Sequence, residues 1–175
     1  MKYIFQYCPV CAADLVPQVV HQAERLACQA DPAHYIHYDN PKPVVAAIVE
    51  YEGEVLLARN AKWPPNWFAL ITGFLEKGES PEEGIVREVK EEIGLEAEVK
   101  NLVGVYPFPM RNELIIAYHV EARGQVRLED EIAEVKKIPK NEVIPWPYAT
   151  GDALRDWLRQ IGVLDNVDKT LNFRA

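Results

Sequence analysis

Residues 73–95 read Gly73-Phe74-Leu75-Glu76-Lys77-Gly78-Glu79-Ser80-Pro81-Glu82-Glu83-Gly84-Ile85-Val86-Arg87-Glu88-Val89-Lys90-Glu91-Glu92-Ile93-Gly94-Leu95. Ser80 suits an N-cap, Pro81 suits the first helical position, and Glu83 completes a Ser-x-x-Glu capping box. Gly94 suits the position just past a helix end. A helix is therefore expected over 81–93, with Ile85, Val86, Val89 and Ile93 as an apolar stripe that must pack on a sheet. Beside the stripe, Glu88, Glu91 and Glu92 fall at i, i+3 and i+4, on one helix face. Like charges at this spacing cost about 0.2–0.5 kcal/mol per pair, and the last turn already disfavours negative charge. Hard divalent cations such as Mg²⁺, which prefer carboxylate oxygens, reverse both penalties. A solvated acidic face is the alternative, and the glutamates alone do not choose between the two.

Outward from this helix, the rest of the chain reads as strands. Val44–Val49 is an apolar run suited to a buried strand, and Glu54–Ala58 follows a turn at Glu52-Gly53. Further strands are expected at 68–72, 99–106, 114–121 and 132–138. A second helix is expected at 149–161, with Leu154, Trp157, Leu158 and Ile161 at helical spacing. Strands flanking two helices fit a mixed α/β domain. Asn40-Pro41-Lys42-Pro43 is a rigid polar joint, and residues 1–38 before it read as a small, loop-rich unit.

The composition narrows the class of partner. With 175 residues, 49% hydrophobic and 26% charged, the chain suits one globular domain plus a small appendage. No apolar run approaches the ~20 residues that span a bilayer, and Met1–Cys8 lacks a signal-peptide core, so a cytoplasmic protein without membrane partners is expected. A net charge of −8 tells against general nucleic-acid binding, which relies on surplus Lys and Arg. A small phosphorylated ligand stays compatible if divalent metal lies between the two sets of negative charge. A homodimer stays open.

The first 38 residues hold all three cysteines. The odd number argues against a disulfide framework. Cys8-Pro9-Val10-Cys11 has the spacing of a zinc knuckle and Cys28 follows. His34 is the nearest fourth ligand, with His37 and His21 as competitors. Three thiolates and one imidazole make an accepted structural zinc site, and a unit this small needs a staple. Three free buried thiols are the alternative.

As a pattern, residues 73–95 are G-x5-E-x7-R-E-U-x-E-E-x-G-U, with U aliphatic and every fixed position filled. The segment resembles the Nudix box, the signature of the Nudix hydrolase family. The resemblance implies an α/β/α sandwich with a mixed sheet over about 42–162, followed by a C-terminal tail at 163–175. It implies Mg²⁺ or Mn²⁺ held by Glu88, Glu91 and Glu92 with the carbonyl of Gly73, an Arg87–Glu79 ion pair orienting the glutamates, and hydrolysis of a pyrophosphate bond. Metal bridging a diphosphate neutralises developing charge and lowers the pKa of a bound water. In this family the base often lies on a later loop, where Glu131 stands, although a charged turn before a strand would read the same way. The cysteine unit is similar to the zinc ribbon that precedes the Nudix domain in NADH pyrophosphatases, with Cys-x5-His replacing the usual second cysteine pair.

A nucleoside diphosphate derivative is thus the expected substrate, with a dinucleotide such as NAD(H) first and ADP-ribose or FAD next. NADH pyrophosphatases carry S-Q-P-W-P-F-P-x-S after the box. Here Tyr106-Pro107-Phe108-Pro109-Met110 keeps the P-F-P centre and lacks the serine, glutamine and tryptophan positions. Phe108 framed by prolines, and Trp67 just before the box, are candidates to stack on a base, with core packing the alternative for Phe108. A non-catalytic Nudix ligand sensor and an RNA 5′-cap hydrolase are the rival readings. The box glutamates are complete, which favours catalysis, and no basic RNA track is visible.

Overall fold

The structure, a computed structural model, describes residues 5–164. The chain separates into two compact units, 1–40 and 41–175, each described by itself below. Of the expected C-terminal tail, residues 165–175 lie outside the described residues. Among the described residues no helix is long and apolar enough to cross a membrane.

The first unit is less irregular than its sequence suggests. It is a three-stranded antiparallel sheet of β1 (Leu15–Val20), β2 (Ala23–Cys28) and β3 (Ile36–His37) in the order β1-β2-β3. The two-residue turn joining β1 and β2 has φ of 51° at His21 and 66° at Gln22. Both lie in the left-handed region such turns need, where Asn and Gly are the usual occupants. Without those residues the hairpin carries no turn signature, so the segment passes for a loop. Cys8, Leu15, Leu26 and Cys28 form its small core, with Ala13 and Tyr35 against it.

The second unit is built on β4 (Lys42–Tyr51), β5 (Glu54–Asn60), β6 (Ile71–Phe74), α1 (Pro81–Ile93), β7 (Glu96–Phe108), β8 (Glu113–Arg123), β9 (Ile132–Ile138) and α2 (Thr150–Gln160). The strand order is β7-β8-β4-β5-β9, with β6 also on β4. β4 and β8 run parallel and the other pairs are antiparallel, so the sheet is mixed. Val44 to Val49 are all buried. Val45, Ala47 and Val49 pack with Ile85, Val89 and Ile93 of α1, whereas Val44, Ala46 and Ile48 belong to clusters containing residues of α2. A strand covered on both faces reads as an unbroken apolar run.

The third strand lies later than its expected 68–72. Ala69 makes an isolated bridge to Ala58 of β5, and the chain then crosses to β4, pairing Ile71 to Phe74 with Ala47 to Val44. β5 takes β4 only at Val49–Tyr51, so one edge of β4 is shared between two partners, and the site opens where they part. β7 extends through Pro107, a residue that lacks an N–H and is tolerated because β7 is an edge strand.

α1 begins and ends as its signals require. Ser80 accepts from the Glu83 N–H, Glu83 accepts from the Ser80 N–H, and Gly94 has φ 72° with its N–H donated to the Lys90 carbonyl. Its buried face is Gly84, Ile85, Val89 and Ile93, while Val86 is only half-buried. On the opposite face of the sheet, α2 buries Leu154, Trp157 and Leu158, whereas Ile161 is exposed. A Cβ at Gly151 would fall 2.0 Å from the Trp146 carbonyl oxygen, so the absence of a side chain lets the Trp146 loop close onto the start of α2.

Candidate active site

Two adjoining hollows open on the second unit. The larger, about 540 Å³, is lined by Gly73, Glu88, Glu92 and Glu131, with Asn60 and Lys62. It collects four of the site residues expected from the sequence. Gly73 pairs with Val45 of β4, and Glu88 stands against it from α1. A Cβ on Gly73 would lie 1.9 Å from the Glu88 carboxyl carbon, so this carboxylate rests on bare backbone. The Glu129 N–H donates to the Glu92 carbonyl, and the Ala61 N–H to the Glu131 carbonyl. The first bond ties the loop carrying Glu131 to the end of α1, and the second ties it to the residue that follows β5.

Arg87 organises the carboxylates from the side. Its Nη2 and Nε donate to the two Glu79 oxygens at 2.7 and 3.1 Å, a bidentate pair, and Nη1 donates to Glu88 at 2.8 Å and Glu91 at 3.0 Å. Nη2 also reaches the Phe74 carbonyl at 3.2 Å. Glu79 in turn accepts the Glu76 N–H at 2.7 Å. The Arg87 hydrogen bond holds the Glu79 carboxyl below its ordinary range. Glu91 differs from its two neighbours on the helix. Its side chain is 60% exposed and faces Arg87, and it is not among the residues lining the cleft.

Electrostatic strain concentrates on Glu92. Burial first, then the charges of Glu88, Glu131 and Glu91, push its carboxyl up to about 8. Burial also raises Glu88, and Arg87 offsets this only in part. Carboxylates gathered in one cavity, with one of them pressed against a backbone too bare to hold a side chain, suit a hard divalent cation as the missing positive charge.

The second hollow, about 350 Å³, is walled by aromatic side chains: Trp63, Trp67, Phe68, Phe108, Trp146 and Tyr148. Phe108 and Tyr148 are stacked, with ring centroids 6.5 Å apart and planes at 20°. Phe108 also packs on the cluster of Val44 and Ile115, so it combines the wall and core roles weighed for it. Trp67 is 61% exposed at the rim. Val44, Trp63, Leu70, Thr72, Arg111 and Glu113 line both hollows, which are therefore one continuous groove.

Sequence reasoning did not reach Trp63, Trp146, Tyr148, Arg111 or Glu113. A signal existed for some of them. Pro145-Trp146-Pro147 repeats the proline-framed aromatic of Pro107-Phe108-Pro109, and Trp63 is followed by Pro64-Pro65. Counting along the motif of the NADH pyrophosphatases, Arg111 occupies the position of its last serine.

In the first unit, Cys8, Cys11, Cys28 and His34 offer ligand atoms that all lie within 4.8 Å of one another. The Cys11 and Cys28 sulfurs are 3.5 Å apart. Tetrahedral zinc with bonds near 2.0–2.3 Å separates its ligand atoms by roughly 3.5–4 Å, so the donor set fits the ion. The Val10 N–H points at the Cys8 sulfur, 3.4 Å away. Burial raises the Cys8 thiol, but the Val10 and Cys11 N–H groups outweigh it and hold the thiol below its ordinary value. Of the competing histidines, His37 packs on Phe5 and Tyr35, and His21 stacks on Tyr38.

The mixed sheet between two helices, carrying the helix-borne acidic cleft, belongs to a known class. The model of the NUDIX domain matches residues 40–160, and the chain belongs to the Nudix family. It is 28% identical over 144 residues to the NAD-capped RNA hydrolase NudC of Pseudomonas entomophila, an alignment covering 81% of this chain and 51% of that protein. It is 30% identical over 143 residues to the ADP-ribose pyrophosphatase of Methanocaldococcus jannaschii, covering 78% of this chain and 85% of that one. The crystal structure of a Nudix hydrolase from Nitrosomonas europaea superposes with a TM-score of 0.75 at 26% identity, covering 89% of this chain and 92% of that one. The chain thus spans about half the length of the Pseudomonas entomophila relative.

Proposed function

We propose that this protein hydrolyses a pyrophosphate bond in a nucleoside diphosphate derivative, with a dinucleotide such as NAD(H) as the preferred substrate. The observation that carries this reading is the shared wall. An acidic cleft suited to metal and diphosphate opens directly into an aromatic chamber suited to a planar ring. A ligand carrying both groups fills both hollows at once.

Glu88, Glu92 and the Gly73 carbonyl would hold Mg²⁺ or Mn²⁺, with Glu91 at the margin. The metal supplies charge neutralisation on the diphosphate and a more acidic water. Arg87, fixed by Glu79, orients Glu88 and Glu91 through the hydrogen bonds given above. Glu131 lines the cleft and takes a proton from the attacking water. The water oxygen bonds to phosphorus as the bridging P–O bond breaks. NADH then yields AMP and reduced nicotinamide mononucleotide. Phe108, Trp67 and the other chamber aromatics stack on the ring, a contact of about 1–3 kcal/mol per base.

ADP-ribose is the second reading, supported by the Methanocaldococcus jannaschii relative, with which the alignment extends over most of both chains. A panel of NADH, NAD, ADP-ribose, FAD, diadenosine polyphosphates, nucleoside triphosphates and NAD-capped RNA, with products identified, tests both. NADH or NAD should be cut fastest. Faster hydrolysis of triphosphates than of every dinucleotide would refute the substrate reading.

In the first unit, Cys8, Cys11, Cys28 and His34 would hold one structural zinc, a closed site with no position left for catalysis. Metal analysis of the purified protein should find about one zinc per chain. A zinc-free protein with three readily titrated thiols and intact activity would rule it out.

A further inference from the structure

The wall common to the acidic cleft and the aromatic chamber contains two charged residues, Arg111 and Glu113. Their situations differ. Glu113 is largely buried and has a counter-charge in Lys42, whose Nζ lies 3.7 Å away. Arg111 forms no ion pair among the described residues. Its guanidinium carbon instead lies 5.8 Å from the centroid of the Phe108 ring, and Phe108 is itself stacked on Tyr148. The backbone fixes where Arg111 sits. Pro109–Arg111 form a single 3-10 turn, closed by the Asn112 N–H donated to the Pro109 carbonyl at 3.2 Å.

An exposed guanidinium within cation–π reach of an aromatic face leaves N–H groups free for an anion. Here that cation stands between a ring pocket and the cleft proposed to take a diphosphate, in a protein of net charge −8. Lys62 lines the cleft but not the chamber, so it does not distinguish one chamber ligand from another. We propose that Arg111 is a specificity-determining residue, holding the phosphoryl group attached to the nucleoside whose ring occupies the chamber. The chamber thereby selects a 5′-nucleotide unit over a bare nucleoside. This inference rests on the reading of the chamber as the ring site of the substrate. Arginine suits the task because guanidinium–phosphate hydrogen bonds are charge-assisted and can be bidentate.

The test compares ligands that differ only by the phosphate. Adenosine against AMP, and nicotinamide riboside against nicotinamide mononucleotide, are titrated calorimetrically in magnesium buffer into the wild-type protein, Arg111→Ser and Arg111→Lys. In at least one pair the wild type should bind the nucleotide about ten-fold or more tighter than the nucleoside. Arg111→Ser should weaken that nucleotide by about 10- to 100-fold and change the nucleoside by less than about two-fold, with Arg111→Lys recovering part of the loss. In turnover of the best dinucleotide, Arg111→Ser should raise KM far more than it lowers kcat. Equal losses for nucleotide and nucleoside would assign Arg111 to packing on Phe108 and overturn the proposal, as would an unchanged affinity for both. A wild-type protein that binds neither member of either pair would remove the ring-site reading itself, and the proposal with it.

Discussion

The acidic cleft and the aromatic chamber share a wall and are assembled in opposite ways. Three of the four expected cleft residues, Gly73, Glu88 and Glu92, lie on β6 and on α1, the next element in the chain, and only Glu131 comes from elsewhere. The chamber draws mainly on three distant stretches, around Trp63–Leu70, Phe108–Ile115 and Trp146–Thr150, with Val44 and Thr72 of the sheet completing it. In the cleft, placement follows from helical spacing. In the chamber, it follows from the pairing of β7 with β8 and from the Gly151 contact that closes the Trp146 loop on α2. If the division of labour follows the division of construction, changes in the cleft should act on kcat and changes in the chamber on KM.

The largest effect is expected at Glu92. Glu92→Gln should lower kcat by at least about 10²–10³, the scale of losing a main electrostatic stabiliser; steady-state kinetics with near-wild-type turnover would break the comparison at its centre. Gly73→Ala comes next. Its methyl group would occupy the space of the Glu88 carboxylate, and displacing that group should cost kcat about 10–10², with circular dichroism and thermal melting unchanged. Phe108→Ala addresses the other hollow and should raise KM by about ten-fold while kcat stays within about three-fold, because stacking serves ground and transition states alike. A fall in kcat instead would mean that the chamber also shapes the reacting geometry.

The smallest effect is on stability, and its sign follows from the Glu92 carboxyl. Its folded value of about 8 stands above the ordinary 4.5, so the folded state binds more protons between these two values. Stability in chelator therefore falls as pH rises from about 4.5 to 8. Glu92→Gln removes that cost. Its melting temperature in chelator should exceed that of the wild type above pH 8, by about 2–4 °C for each kcal/mol relieved, and the gain should vanish near pH 4.5. Magnesium affinity should weaken as pH drops below about 8, because the bound form needs the carboxylate. A gain that grows towards acid pH would contradict the crowding of Glu92 by Glu88 and Glu131.

The same contrast explains what could be read before the fold was known. α1 was legible to its caps because Ser80, Glu83 and Gly94 act within a few residues of themselves. The acidic cluster was legible because the i, i+4 spacing of Glu88 and Glu92 is set by the helix. Glu91 shares that spacing, but nothing in it tells that Arg87 draws its side chain outward. The β1–β2 hairpin was missed because its left-handed turn is made by His21 and Gln22. The strand expected at 68–72 was misplaced because Ala69 pairs with β5 and Ile71 with β4, a change of partner that no local pattern encodes. Arg111 was missed because the wall it shares with Trp63, Leu70 and Thr72 joins residues remote in sequence.

The three separate origins of the chamber walls have a consequence for how such a protein can be altered. Trp63–Leu70, Phe108–Ile115 and Trp146–Thr150 all lie outside the Gly73–Leu95 segment, and none contains Glu88, Glu92 or Glu131. Insertions or exchanges in these loops would reshape the ring pocket and leave α1, its caps and the Arg87 network untouched. One carboxylate-bearing helix could therefore be refitted to many ligands by trading loops alone, with the break in pairing along β4 as the fixed hinge around which they are exchanged.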